Sequence, residues 1–276
     1  MKHLGYWYAL ALMVLDLLLP PFGWILAAAS ILSVLIGDWI SQKQNGALPA
    51  VSCAAFCQRD KLERCFARVR AQAGPDLPPF GQEVSVCVIP EQTINAYCLG
   101  FCTIAVTQGA LGLDPRTLQA LLAHEFGHLI HGDSVFFRVL MVQALGLATY
   151  LFFWQVVLLV VLVLLFLLGL LCSAFRLGYV SCTLFRGLTG LVQTLGLTLR
   201  HGLLAAAGLL ICFLGRRSEL RADAYAAHLG YAEPLCRFLE RFSQPAPQTF
   251  REILYGTHPD PGQRIQVLRR HHPPAF

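Results

Sequence analysis

Long apolar runs alternate with short polar stretches along this chain, and the longest run predicts a helix that crosses a lipid bilayer. No charged residue occurs from Val139 to Phe175, between Arg138 and Arg176. About 20 such residues are enough to cross the hydrocarbon core of a membrane. The run therefore predicts a transmembrane helix.

A second apolar region, from His3 to Gly37, predicts a tight hairpin of two membrane-spanning segments. Pro20 and Pro21 interrupt it, and about 17 residues on each side suffice for a short crossing. A secretory signal peptide is the alternative, because a lysine precedes the apolar core and "ILAAAS" offers small residues for cleavage. Asp16 inside the core, and the apolar residues that continue to Gly37, favour the hairpin.

The last crossing is predicted between Arg200 and Arg216. A helix of this length measures about 24 Å, nearly the width of a membrane if both arginine side chains extend to its surfaces. We expect the preceding segment, from Arg176 to Leu199, to lie at the interface or on the far side of the membrane.

The remaining segments carry the patterns of soluble secondary structure. "SCAAFCQRDKLERCFARVRAQAG" predicts an amphipathic helix, "EVSVCVIP" a strand, and "INAYCLGFCTIAVTQGAL" a pair of strands around Gly100. An Asp-Pro pair before the segment and a glycine after it predict a helix from about Pro115 to His131. Further helices are predicted over "SELRADAYAAHL", ended by Gly230, and near Glu233–Phe242 and Gly262–His271.

Composition narrows the class of protein. The chain is 56% hydrophobic and 13% charged, against about a quarter charged in a typical soluble domain, so we predict an integral membrane protein. The ten cysteines are scattered and favour small buried side chains in a reducing compartment. The net charge of +5 comes mostly from basic residues beside the apolar segments, which indicates cytoplasmic loops and no nucleic-acid partner. These basic residues are Lys43, Arg59, Lys61, Arg64, Arg68, Arg70, Arg216, Arg217 and Arg221.

"HEFGH", from His124 to His128, is the segment that carries chemistry. Two imidazoles one helical turn apart can bind a single Zn²⁺, and Glu125 is placed to take a proton from a water that zinc activates. Chance occurrence on an amphipathic helix is the alternative. The predicted helical context favours the metal site.

A catalytic zinc needs a third protein ligand. His131 is on the same helix face, but it is about 10.5 Å along the axis from His124, which is far for one metal. Glu219 is the better candidate, and Asp223 lies on the same face one turn later, although a solvated charged face is the alternative for that segment. Two predicted crossings separate His128 from Glu219, so both would lie on the same side of the membrane.

The ordered motifs resemble the HtpX family of membrane-embedded zinc endopeptidases, which are relatives of the prenyl-protein (CAAX) proteases and of mitochondrial Oma-type proteases. The resemblance rests on "INAYCLG…IAVTQGAL", "HEFGHLIHGDSV", "SELRADAYAA" and "THPDPGQRIQVL", with their order and spacing. It covers most of the chain from Ser52 onward and the N-terminal hairpin. Cys98 and the "LGFC" stretch, and the Arg200-His201 pair, depart from the family pattern.

The resemblance implies a role for each candidate residue. His124, His128 and Glu219 would bind zinc, and Glu125 would act as the general base. Asp223 and Asp133 would orient histidine ligands, His258 would stabilise the oxyanion, and Asn95 would lie on a strand that positions an extended substrate.

Together these observations predict a mainly α integral membrane protein with about four transmembrane helices and a zincin-like cytoplasmic catalytic domain containing a small β-sheet. The predicted parts are a hairpin (1–41), a first catalytic part (42–138), a transmembrane pair (139–216) and a second catalytic part (217–276). The resemblance implies that the chain is a membrane zinc metalloendopeptidase that crosses the inner (plasma) membrane several times. Its expected substrates are membrane or misfolded polypeptides, and its expected role is quality control or stress response. A catalytically silent metal-binding scaffold and a site-two-type intramembrane protease are the alternatives; no pattern predicts an oligomeric state.

Overall fold

The computed structural model describes residues 3–18, 21–49, 56–78, 84–172, 178–242 and 259–271. These residues are mainly helical, with one small sheet. Helix α1 spans Leu4–Asp16, α2 Phe22–Gln44, α3 Phe56–Ala73 and α4 Pro115–His131. Helix α5 spans Asp133–Cys172, α6 Gly178–His228, α7 Ala232–Phe242 and α8 Pro261–His271. Strands β1 to β4 span Leu48–Pro49, Ser85–Ile89, Ala96–Cys98 and Thr103–Thr107.

Three of the described helices, α2, α5 and α6, are long and apolar enough to cross a membrane. The most apolar window of α5 has a mean hydropathy of 3.1 and none of it is buried within the protein. Helix α1 is apolar but has 13 residues, so the predicted N-terminal hairpin has one short and one long arm. The exposed apolar side chains of these helices confirm the prediction of an integral membrane protein.

Helix α6 contains the predicted last crossing. It continues without a break for 51 residues, about 77 Å, from Gly178 through the expected crossing to the segment that contains Glu219. The segment 178–199 is the first part of this helix, and a helix longer than the bilayer extends beyond it. The expected position of that segment, at the interface or on the far side of the membrane, stays a prediction. Residues 141–209 form one compact unit, and the rest of the chain forms another.

The sheet brings an edge strand to the site. Its order is β1-β2-β4-β3; β2 and β4 are parallel, and β3 and β4 are antiparallel with Cys98 opposite Ile104. This confirms the predicted strand pair around Gly100. Among the strands of the described ranges β3 has a neighbour on one side only, so it is an edge strand.

Helix α4 lies in the compact unit formed by residues 1–140 and 210–276, and it begins and ends as predicted. The Asp114 carboxylate accepts hydrogen bonds from the amides of Arg116 and Thr117, and Gly132 ends the helix with a φ of 74°. Most of its side chains are buried, in a core shared with α3, the sheet and α7. The hydroxyl of Tyr6, on α1, donates to the carbonyl of Leu129 at 2.8 Å, so the N-terminal hairpin also holds the end of this helix.

Candidate metal centre

Helices α4 and α6 approach so closely beside the site that their backbones are almost in contact. A Cβ atom on Gly127 would lie 2.8 Å from the Cα atom of Ala222, which explains the glycine between the two histidines. This approach brings the histidines of α4 next to the carboxylates of α6, although more than 90 residues of sequence separate them.

Three side-chain donors converge at this contact. The Nε2 atoms of His124 and His128 are 3.2 Å apart, and each lies 3.5 Å from a carboxylate oxygen of Glu219. Ligands bound tetrahedrally to zinc at about 2.0–2.2 Å would be about 3.3–3.6 Å from one another. The observed spacings fit these distances, so the residues present suit a zinc ion. Within the described part of the chain, His131 is outside this group, and its Nδ1 lies 2.6 Å from the carbonyl of Gly127.

Two aspartates fix the outer nitrogens of the imidazoles. Asp223 Oδ1 lies 2.9 Å from Nδ1 of His124, and Asp133 Oδ2 lies 2.9 Å from Nδ1 of His128. A carboxylate at this distance can orient an imidazole. Both aspartates lie beside the histidines that the resemblance expects them to orient, and the roles stay a prediction.

Arg264 on α8 is the site residue that the sequence reasoning missed. Its guanidinium donates to Asp223 through Nε at 2.7 Å and Nη2 at 2.6 Å, and its Nη1 lies 3.0 Å from Glu219. The signal was present in "PGQRIQ", since two acids one turn apart on a buried helix face require a cation. The motif gives no indication, however, that this arginine and not a neighbour reaches them.

The charges of the site leave room for a divalent cation. Four buried carboxylates, those of Glu125, Asp133, Glu219 and Asp223, face the guanidinium groups of Arg221 and Arg264. Two negative charges remain unbalanced when the imidazoles are neutral, and buried unpaired charges are costly. A Zn²⁺ ion would balance them.

The protonation of the histidines and of Glu125 follows from burial and neighbours. Burial by itself would lower the pKa of His124 and His128, but Asp223, Asp133 and Glu219 outweigh it and raise both values. Burial raises the pKa of the Glu125 carboxyl above its ordinary value. A shift in this direction brings the pKa of a carboxylate closer to neutral pH, where a general base is most effective.

A cleft of about 360 Å³ opens in front of these groups. Strand β3 forms one side, and Asn95 at its start places its amide nitrogen 3.1 Å from the Tyr97 hydroxyl. Apolar side chains of α4 and α7, including Leu121, Leu235 and Phe238, form an apolar wall of the same cleft. His258 is outside the described residues, so its predicted place in the cleft stays a prediction.

Comparisons with known proteins point to one family. The model of peptidase family M48 matches residues 58–272. Protease HtpX of Pseudomonas entomophila (strain L48) is 24% identical over 271 residues, covering 88% of this chain and 82% of the relative. Protease HtpX of Pseudomonas paraeruginosa (strain DSM 24068 / PA7) is 25% identical over 261 residues, covering 90% and 79%.

Among solved structures, the crystal structure of S. mikatae Ste24p matches with a TM-score of 0.52 and 17% identity. The match covers 94% of this chain and 61% of that one, so this chain corresponds to less than two thirds of Ste24p. At this identity the likeness concerns the fold, a helical membrane protein with a small sheet.

Proposed function

Since this chain belongs to peptidase family M48, we propose that it is a zinc endopeptidase that cleaves membrane or misfolded polypeptides in protein quality control or stress response. As a member of the family it is a membrane-associated metalloendopeptidase. The proposal adds the metal, the residues that bind it, the substrates and the cellular role.

The spacing of His124, His128 and Glu219 is the observation that carries the proposal. Their donor atoms, 3.2 and 3.5 Å apart, fit a tetrahedral zinc site, and two nitrogens with one carboxylate are a common catalytic ligand set. A zinc ion held there would supply Lewis acidity, which polarises a peptide carbonyl and makes water a stronger acid.

Glu125 would then remove the proton of the attacking water and pass it to the leaving amine. Its carboxylate is buried, and Glu125 lines the cleft together with both histidines and Cys98 of β3. The base would thus lie at the border between the metal-binding residues and strand β3.

The open side of β3 supports an extended polypeptide as the substrate. The backbone of Ala96 faces the open side, because alternate residues, Asn95 and Leu99, make the hydrogen bonds to β4. The amide of Ala96 donates to the Asn95 side chain at 2.9 Å. A peptide could add to this edge by backbone hydrogen bonds while its side chains contact the apolar wall of the cleft. Unfolded polypeptides expose both kinds of group, and membrane segments expose apolar side chains. The quality-control role itself rests on the resemblance to the HtpX family.

We further propose that the active site faces the cytoplasm from the inner membrane, because basic residues cluster on the catalytic side of the apolar segments. Cys57 is exposed on α3 and Leu18 is exposed between α1 and α2. A membrane-impermeant maleimide should label Leu18→Cys in intact cells, but Cys57 only after permeabilisation. Labelling of Cys57 in intact cells would contradict this orientation.

The test of the proposed activity uses the full chain in detergent. Chelation should abolish casein cleavage and added zinc should restore it. Glu125→Gln should keep zinc and lose cleavage, because it removes the base and leaves the ligands. Glu219→Ala should lose both zinc and cleavage.

The same variants separate the alternatives. A metal-binding scaffold without turnover predicts no zinc-dependent cleavage by the wild-type chain. Full zinc occupancy in Glu219→Ala would contradict the proposed ligand set. A site-two-type arrangement requires an acidic ligand within a membrane helix, whereas Glu219 is surrounded by charged residues of α6.

A further inference from the structure

A largely buried ion pair joins helix α2 of the N-terminal membrane hairpin to helix α5. Asp38 near the end of α2 and Arg138 near the start of α5 are 3.4 Å apart (Oδ1 to Nη1), with side chains 9% and 19% exposed. Charges in apolar helices are costly and often have a function. Neither residue touches the metal-binding group.

Both side chains also form hydrogen bonds with the turn between β3 and β4. Arg138 Nη2 donates to the carbonyl of Leu99 at 2.7 Å, at the start of the turn. The amide of Cys102 donates to Asp38 Oδ2 at 3.3 Å, at its end. A Cβ atom on Gly100 would overlap the Asp38 carboxylate, so glycine permits this close approach.

The turn continues strand β3, which borders the cleft. At the junction, the Ser134 hydroxyl donates to the carbonyl of Cys98 at 2.9 Å, and Cys98 lines the cleft together with Glu125. A displacement of the turn would therefore move the substrate edge beside Glu125. It would leave the contact between α4 and α6, which brings the metal-binding residues together, in place.

We propose that Asp38 and Arg138 are positioning residues that fix strand β3 in the register required for binding an extended polypeptide. The membrane hairpin is thereby part of the substrate-binding machinery in addition to anchoring the protein. This inference rests on the proposed function, because it takes β3 as the substrate edge.

The test compares two fluorogenic peptides cleaved by the zinc-loaded full chain. The long peptide can pair along β3, and the short one spans only the scissile bond and its immediate neighbours. Arg138→Met should reduce kcat/KM for the long peptide about tenfold, mostly through KM, as expected for one or two lost hydrogen bonds. The short peptide should change less, and zinc content should equal that of the wild type.

Lys61→Met is the matched control. Lys61 is also a partly buried cation that holds a turn through backbone carbonyls, those of Leu111 and Leu113, but away from β3. It should affect both peptides equally. Arg138→Lys keeps the charge and loses the planar fork, so it should have an intermediate effect even if the methionine variant folds poorly. Hydrogen exchange of residues 98–102 should rise in Arg138→Lys and in Asp38→Asn, but not in the control.

The outcomes separate this inference from the proposed function. Equal losses for both peptides together with lost zinc would make Arg138 a general structural residue and overturn the inference. Wild-type kinetics with the long peptide in the Arg138 variants would overturn it as well, while leaving the protease intact. Absence of zinc-dependent cleavage in the wild type would contradict the proposed function and this inference together.

Discussion

Replacing Asp223 with asparagine tests whether the ligand geometry depends on the residues around it. The Asp223 side chain is 1% exposed, lies 2.9 Å from Nδ1 of His124, and accepts two hydrogen bonds from Arg264. Asparagine keeps the shape but removes the charge. Loss of such an orienting partner typically costs about 10–100-fold in metal affinity, or about 1.4–2.7 kcal/mol.

Stability should fall by less than the ~3–5 kcal/mol typical of an orphaned buried charge. The reason is that Glu219 still faces Arg264 at 3.0 Å when the charge of Asp223 is removed. Competition with a fluorescent zinc chelator measures affinity, and thermal unfolding of the metal-free protein measures stability. Asp60→Asn is the control, because Asp60 forms an exposed ion pair with Arg64, which contributes little.

If Asp223→Asn binds zinc as tightly as the wild type, the orientation of His124 does not depend on this carboxylate. Weaker binding in both Asp223→Asn and Asp60→Asn would point to a general charge effect. Either result would refute the reasoning from geometry.

Three further predictions concern protons, the apolar wall and the residue at position 258. Burial would lower the pKa of His128, but Asp133 and Glu219 outweigh it and raise the value to about 10, so the metal-free imidazole is protonated at neutral pH. Zinc binding at pH 7.5 should therefore release protons, and the affinity for zinc should fall as pH decreases. Calorimetry in buffers of different ionisation enthalpy measures the proton release. Binding heats that do not depend on the buffer would contradict this prediction. Phe238→Ala should weaken the preference for large apolar side chains beside the scissile bond about tenfold, because part of the substrate side chain would no longer be buried. Phe242→Ala, one turn later and outside the cleft lining, should preserve that preference in peptide-library cleavage. Equal effects of the two variants would refute the assignment of the wall. His258→Ala should lower kcat about 10²-fold or more with zinc content unchanged, because an oxyanion donor acts only as charge develops; loss of zinc would make it a ligand instead.

The parts of the fold that local chemistry determines could be predicted from the sequence. Helix α4 has an Asp-Pro start and a glycine end, so its bounds, Pro115–His131, and the shared face of His124 and His128 follow from residues within one segment. The strands beside Gly100 follow in the same way, from alternation and a turn residue. Those signals act over short distances and do not depend on partners elsewhere in the chain.

Features that depend on long-range contacts could not be predicted. The sequence around Arg200 and His201 does not indicate that α6 continues through this pair into the segment that contains Glu219. The position of Arg264 depends on how α8 packs against α6, and "PGQRIQ" carries no information about that packing. Asp38 and Arg138 are likewise isolated charges in apolar runs until the structure brings them together.

The electrostatics of the site explain how a mostly apolar chain tolerates four carboxylates in one buried cluster. In the metal-free protein Asp223, Asp133 and Glu219 outweigh the effect of burial and raise the pKa of His124 and His128, so proton binding by the imidazoles offsets part of the negative charge that the two guanidinium groups leave. A Zn²⁺ ion would take the place of that positive charge. Exchange of metal for protons would thus limit the buried net charge in both states. Loss of a guanidinium would increase it, which is why the partners of the ligands matter as much as the ligands.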